Sequence, residues 1–360
     1  GEELRCRIPQ NKGDLVKSVT VKFSLSAPED GDGNKLNFKP SFCTDLIDTA
    51  DLYIGGQLIE RLTGEYIYIH QQLNNTSDDI AQTLYFLNGH GNILSYQGGY
   101  TYFLDLPFYF YRNPTLAIPA CALTKQIVEV RIKIRSIGEM IYGGKGLYGP
   151  SYDDDISGQI TKMSIDTDYV YLSEEERGFL MSRPIDYVIT QLQLSQFKMK
   201  LGDNKKSVML NFQHPVKELY FVSQSEESVQ NNYPNEYNTI TNVKLQFNNE
   251  TVFNRNTKFL GYEQPLKHHL NSPQIDIIAL SSPFSNSVYH FGPASFGMYS
   301  FSLKPEVHYP TGQVNMSRIT HKMLTMEIDP INTIDDNNTR VYAVNYNVLR
   351  FESGLAGLKF

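Results

Sequence analysis

Apolar and polar residues alternate with a period of two through much of the chain, the pattern of strands with one buried face. Residues 18–25 (SVTVKFSL) and 127–134 (IVEVRIKI) alternate, while 208–212 (VMLNF), 219–223 (LYFVS) and 324–328 (LTMEI) are apolar runs rich in β-branched and aromatic residues. Turn-forming residues break these runs at short intervals: Gly31-Asp32-Gly33, Gly55-Gly56, Asn113-Pro114, Asn248-Asn249 and Pro310-Thr311-Gly312. Helical periodicity is scarce. Its clearest trace is Ser173-Glu174-Glu175-Glu176, where the Ser173 hydroxyl can cap the Glu176 amide and the Glu176 carboxylate can reach back. The spacing predicts an all-β chain with a short helix near its middle.

A weak repeat refines that picture. The hairpin around Gly55-Gly56 (LYIGGQLI, 52–59) matches the one around Asn248-Asn249 (LQFNNETV, 245–252) at an offset of 193. Phe108, read as opening a strand, matches Phe301 at the same offset, and Val16-Lys17 leads into a strand as Val216-Lys217 does. Nearly constant offsets predict a duplicated β domain. Residues 1–180 and 181–360 are then two domains, each long enough for an eight-stranded antiparallel jelly roll with long loops. The capping-box helix falls at the seam. Residues 138–160, rich in Gly and Asp, read as a long loop, with further long loops at 74–102 and 224–242.

Composition agrees with β structure: 24 Tyr and 20 Phe but no Trp. A net charge of −7 argues against direct nucleic-acid binding, which needs a Lys- and Arg-rich face. Cys6, Cys43 and Cys121 are widely spaced and form no CxxC, so they read as free thiols rather than a zinc or redox site.

Candidate chemistry is thin. Gly138 to Lys145 fails as a phosphate loop, because Glu139 stands where the first Gly is needed and Gly146 where Ser or Thr would hold Mg²⁺. Asp153-Asp154-Asp155 lacks calcium-loop spacing and reads as a solvated acidic loop. His268-His269, read on an extended strand, would face opposite sides and could not share one ion. No G-x-S-x-G elbow occurs. No catalytic, cofactor-binding or metal residue is therefore assigned. Sequons at Asn74, Asn249, Asn315 and Asn337, with a further overlapping one at Asn75, are the only modification candidates.

Six blocks carry a family resemblance. Residues 104–135 (LDLPFYFYRNPTLAIPACALTKQIVEVRIKIR), 51–73, 169–177 (YVYLSEEER), 211–224 (NFQHPVKELYFVSQ), 299–318 and 341–357 occur in order across nearly the whole chain. Together they resemble the major capsid proteins of nucleocytoplasmic large DNA viruses. Tyr66 and Tyr109 depart from the pattern, standing where that family often has Trp. The resemblance implies a double jelly roll with its rolls side by side, working by assembly rather than catalysis. It implies homotrimers of pseudo-hexagonal outline, assembled in the host cytoplasm. Their neighbours would be other capsomers, minor capsid proteins and penton proteins, in an icosahedral shell over an internal membrane. It further implies an upstream segment, near that membrane, before the strand that ends at residues 5–8. The competing expectations are a glycan-processing or glycan-binding protein on the same scaffold (peptide:N-glycosidase-like or a lectin), or a minor capsid protein.

Overall fold

Alternating burial along the strands shows how the sequence pattern becomes sheet. In the strand Leu15–Leu25, Val19, Val21 and Phe23 are fully buried while Lys17 is exposed. The computed structural model describes residues 3–29, 36–39, 41–76, 79–89, 94–95, 101–140, 159–226, 237–271, 296–329 and 336–360. Ten strands come from the first half: β1 (Glu3–Ile8), β2 (Leu15–Leu25), β3 (Asn37–Phe38), β4 (Ile47–Ile54), β5 (Gln57–Thr63), β6 (Leu94–Ser95), β7 (Thr101–Asp105), β8 (Ile118–Pro119), β9 (Val128–Ile134) and β10 (Ile160–Val170). Ten more follow: β11 (Ile185–Met199), β12 (Lys205–Met209), β13 (Pro215–Ser225), β14 (Ile240–Phe247), β15 (Glu250–Asn256), β16 (Gly297–Ser300), β17 (Val314–Asn315), β18 (Lys322–Ile328), β19 (Asn337–Glu352) and β20 (Leu355–Leu358). Short helices connect them: α1 (Phe42–Leu46), α2 (Gly64–Asn74), α3 (Tyr85–Asn88), α4 (Tyr109–Arg112), α5 (Glu174–Ser182) and α6 (Gln264–His268).

The chain divides into two compact units. One holds Gly1–His70, Asp78–Leu192 and Tyr346–Phe360, the other Gln71–Ser77 and Gln193–Asn345. Three of the four unit boundaries fall inside α2, β11 and β19.

In the first unit the sheets run β1-β9-β4-β5 and β10-β2-β7, with β8 on β2. In the second they run β12-β18-β14-β15 and β11-β19-β13-β16, with β17 on β13. Strand for strand these are the same paths, so β1, β9, β4, β5, β10, β2, β7 and β8 have partners in β12, β18, β14, β15, β19, β13, β16 and β17. The second unit fills all eight positions of a jelly roll. In the first, among the described residues, no strand lies on the outer edge of β10, where β11 would correspond.

The duplication extends to single residues. Gly55 and Gly56 turn the β4–β5 hairpin at φ 58° and 82°, and Asn248 and Asn249 turn β14–β15 at φ 48° and 71°. Both are two-residue turns with two positive φ values, the geometry that suits the right-handed strand twist. Each hairpin then carries one extra residue on its second strand, between the pairs Leu52–Glu60 and Tyr53–Leu58 in one and Leu245–Phe253 and Gln246–Thr251 in the other. The bulged residues are Ile59 and Val252, at the offset of the hairpins themselves.

Several local expectations change. The run 208–212 does not continue as strand: β12 ends at Met209, and Leu210 and Phe212 leave the ladder to enter the core with Leu219, Phe221 and Leu324. Phe108 opens no strand but precedes α4, and Phe301 follows β16. Residues 79–88, read within a loop, are helical, and 101–102 already belong to β7. Residues 224–225 and 240–242 are likewise the ends of β13 and β14. The capping box forms: Ser173 Oγ accepts from the Glu176 amide at 3.3 Å, and Glu176 accepts from the Ser173 amide at 2.9 Å. Most of the 138–160 stretch, including Asp153-Asp154-Asp155, lies outside the described residues.

Candidate functional site

In β13 a Lys-Glu pair interrupts an apolar strand that is buried on both faces. Charged residues in such a position must be paired. Glu218 meets His269, whose Nε2 lies 2.8 Å from the Glu218 carboxylate. The other ring nitrogen, Nδ1, lies 2.8 Å from Glu306 and 3.2 Å from the Asn74 side-chain oxygen. Acceptors at both nitrogens require a doubly protonated, cationic ring. The His269 side chain is fully buried; burial lowers its pKa, but Glu218 and Glu306 outweigh that and raise it to about 9. Burial likewise works against the Glu218 carboxylate, while His269 and Lys217 more than compensate and hold it below its usual range. Lys217 Nζ stands 3.6 Å from Glu218 and donates to the Pro305 carbonyl at 2.7 Å.

The sequence builds this convergence from four places. His269 follows α6, where its amide donates to the Pro265 carbonyl. The next two amides, of Leu270 and Asn271, donate to the Leu73 carbonyl near the end of α2. Glu306 comes from the turn after β16. The expectation that His268-His269 lies on a strand is thus corrected: the pair sits at the end of α6, with Pro265 near the helix start, and of the two rings His269 is the one that contacts Glu218 and Glu306. Glu218, His269 and Glu306 place ligand-type atoms within 4.8 Å of one another, as a metal site would. Their chemistry does not fit one. Two carboxylates are already balanced by Lys217 and the imidazolium, and a divalent ion would face the Lys217 ammonium. The arrangement is a charge-balanced clamp joining β13, α6, the end of α2 and the segment around Glu306.

The first unit has its own buried pair. Arg112, on the last turn of α4, reaches the wholly buried Glu60 carboxylate at 2.5 Å. It also donates to the Pro107 carbonyl at 2.7 Å and to the Thr190 carbonyl and hydroxyl at 3.0 and 2.8 Å. The Tyr109 amide donates to the second Glu60 oxygen at 2.8 Å. Burial raises the Glu60 pKa, and Arg112 opposes the shift without overcoming it. Neither cluster was identified from sequence, because Glu218 and His269 are 51 residues apart and Glu60 and Arg112 are 52. The available signal was charge inside apolar runs: Lys217-Glu218 before LYFVS and Glu60-Arg61 after QLI.

Four of the five sequon asparagines lie apart, and Asn75 neighbours Asn74. Asn74 ends α2 beside His269, and Asn315 accepts from the Ser317 amide at 3.1 Å. Asn337 is fully buried and bonded to Asn238. Asn249 is exposed at its hairpin tip.

A model of the major capsid protein N-terminus matches residues 1–173, and a model of the large eukaryotic DNA virus major capsid protein matches 176–295 and 286–357. The major capsid protein of Pyramimonas orientalis virus is 30% identical over 378 residues, covering 100% of this chain and 86% of the relative. The chain belongs to the major capsid proteins of large eukaryotic DNA viruses. Solved structures of capsid proteins share its fold. PBCV-1 VP54, as fitted into a reconstruction of the virophage Sputnik, superposes with TM-score 0.80 at 21% identity over 100% of this chain and 93% of that one. The Faustovirus major capsid protein gives TM-score 0.77 at 10% identity, covering 98% and 88%. The fold of this capsid protein is therefore the double jelly roll, its role is structural and its place is the virion capsid. Within it, Arg112-Asn113-Pro114 belongs to the block 104–135, and its arginine serves the buried Glu60. Tyr109, one of the two aromatic departures, is buried with no hydrogen-bond partner for its hydroxyl among the described residues.

Proposed function

We propose that three copies of this chain form a capsomer of pseudo-hexagonal outline. Capsomers then tile an icosahedral shell over an internal membrane with minor capsid and penton proteins, assembled in the host cytoplasm. The supporting observation is the internal duplication: two units with matching sheet paths and matching hairpin bulges in one chain. A threefold ring of such a chain presents six similar rolls, which a ring of single rolls reaches only with six chains. Strands β1–β10 come from residues 3–170 and β11–β20 from residues 185–358, which supports a division near 180/181 along the sequence, with the start of β11 and Tyr346–Phe360 belonging to the first compact unit.

The chain acts by assembly and not by catalysis. Among the described residues its buried carboxylates are committed elsewhere: Glu60 to Arg112, Glu218 to His269 and Lys217, Asp14 to Arg177 and Asp51 to Arg61. Burial holds Asp45 well above the usual carboxylate range, within the first unit's core. A glycosidase needs two carboxyls facing each other across an open cleft.

Light scattering on the purified chain tests the stoichiometry. The expected mass is three times the 41.1 kDa of one chain. A stable monomer at micromolar concentration overturns the reading.

A further inference from the structure

At the end of β15 remote from the Asn248-Asn249 turn, the chain bends at Thr257 into the helical residues Phe259–Glu263 and then α6. The bend leaves an open groove of about 550 Å³ on the second unit. That volume lies within the roughly 300–1,000 Å³ of small-ligand sites.

The groove's lining includes two cations, Arg255 and Lys258, and one acid, Glu263. Arg255 lies over the Phe259 ring, 4.8 Å from its centroid. Arg255 and Lys258 are both exposed, and among the described residues neither is paired with a carboxylate. Glu263, the acid beside them, is engaged by Lys267 one helical turn on. The Asn254 side-chain oxygen accepts from the Asn242 amide group at 2.7 Å, and that of Asn256 accepts from the Phe259 backbone amide at 3.2 Å. Each asparagine therefore keeps its NH₂ to donate. Apolar surface comes from the half-buried Phe259 ring and from Leu266, which is 65% exposed.

We propose that this groove binds an acidic oligosaccharide. Its carboxylate or sulfate sits between Arg255 and Lys258, its hydroxyls accept from Asn254 and Asn256, and its C–H face rests on Phe259 or Leu266. Two unneutralised cations on a chain of net charge −7 make a local attraction for one acidic group. They are too few for a nucleic-acid backbone, whose binding rests on neutralising many phosphates. An acidic peptide would satisfy the cations, but it gives the two amide donors and the apolar floor less to bind than a hydroxylated ring does.

Calorimetric titration of the full chain tests this with four probes: a sulfated heparin tetrasaccharide, tetragalacturonate, neutral maltotetraose and a glutamate decapeptide. The expected result is saturable binding of the sulfated or the uronate probe, weakening with added salt, with none for maltotetraose. The comparison of those two acidic probes separates sulfate from carboxylate recognition. Arg255→Gln and Lys258→Gln should each weaken binding about tenfold, as loss of a charge-assisted contact does. Arg255→Lys should recover most of it, and Lys162→Gln on β10 should leave it unchanged. Both residues are exposed, so the variants should keep the parent's thermal transition. Failure of both acidic probes to bind overturns the proposal, as does tighter binding of the decapeptide or equal binding of maltotetraose. Parent-like affinity in both Gln variants overturns it too.

Discussion

Arg112 and Glu60 face each other at 2.5 Å in the first unit, the carboxylate fully buried and the guanidinium 12% exposed. Arg112 also satisfies three oxygens of Pro107 and Thr190, so one side chain ties α4 to β5, to the residue before Phe108 and to the start of β11. Arg112→Ala should cost about 3–5 kcal/mol, because it strands a buried carboxylate. Arg112→Lys should recover only part, since an ammonium cannot reproduce the planar fork. Replacing both partners, as Arg112→Met with Glu60→Gln, should be milder than Arg112→Ala alone. Urea unfolding of the four proteins checks this; a lysine variant as stable as the parent would show that the fork geometry is irrelevant.

The clamp in the second unit predicts a pH dependence. Against the lowering effect of burial, Glu218 and Glu306 hold the His269 pKa up at about 9 in the folded chain, above the ordinary imidazole value of 6.5. The folded state therefore holds this proton more tightly than the unfolded state. Its stabilisation is complete below the unfolded value and fades as pH rises through about 9. The shift corresponds to about 3 kcal/mol. Glu218, shifted downward, works in the other direction: its contribution is present above the ordinary carboxylate pKa and is lost as acid protonates it. Melting temperature measured between those limits should fall as pH climbs, and His269→Gln should flatten the slope while lowering stability at pH 6. An unchanged slope in that variant would assign the alkaline loss to other groups, such as the thiols whose pKa values burial raises.

What the sequence revealed, and what it hid, divides along contact range. The hairpin tips at Gly55-Gly56 and Asn248-Asn249 and the Ser173 box depend on residues a few positions apart, so their chemistry is visible in order along the chain. The duplication was visible for the same reason, as two copies of one local pattern. Extended pairs such as Glu218–His269 and Glu60–Arg112 are set by which strands become neighbours. Histidine adjacency at 268–269 was misleading because a helix end, not a strand, carries it. The run 208–212 reads as strand in sequence, but core packing, not ladder pairing, claims Leu210 and Phe212.

The two positions of the Gly55-Gly56 turn should respond differently to the same exchange. A Cβ on Gly56 meets nothing within 4 Å, whereas one on Gly55 would overlap the Gln126 side chain. That glutamine is committed, since its side-chain oxygen accepts from the Ala356 amide at 2.7 Å. Both positions have positive φ, which Asn tolerates better than other residues with a side chain. Gly56→Asn should therefore cost well under about 1 kcal/mol, and Gly55→Asn distinctly more. In the other hairpin, Asn249→Gly should be neutral or slightly stabilising, because glycine accepts φ 71° without strain. Chemical denaturation orders the three variants; equal costs at Gly55 and Gly56 would mean that Gln126 moves aside freely.

The unmatched position beside β10 gives the last prediction. β19 is hydrogen-bonded on both sides, to β11 and β13, while its counterpart β10 pairs with β2 along one edge and, among the described residues, with no strand along the other. An eleven-residue edge is a template for unwanted pairing. Lys162, Asp166 and Asp168 place charge along it, which discourages a second β10 from docking there. Amides of β10 that point away from β2 should exchange with solvent far faster than those of β19, although both strands are long. Residue-resolved hydrogen exchange on the 360-residue chain measures the difference directly. The amides facing β2 serve as the internal control, because their bonds are of the same kind as those of β19. Fast exchange limited to the outward set is the expected outcome. Uniform protection along β10 would mean that something covers the edge, and dilution of the protein would then decide what: protection that fades on dilution identifies a second copy of the chain, and protection that persists identifies a segment of the same one.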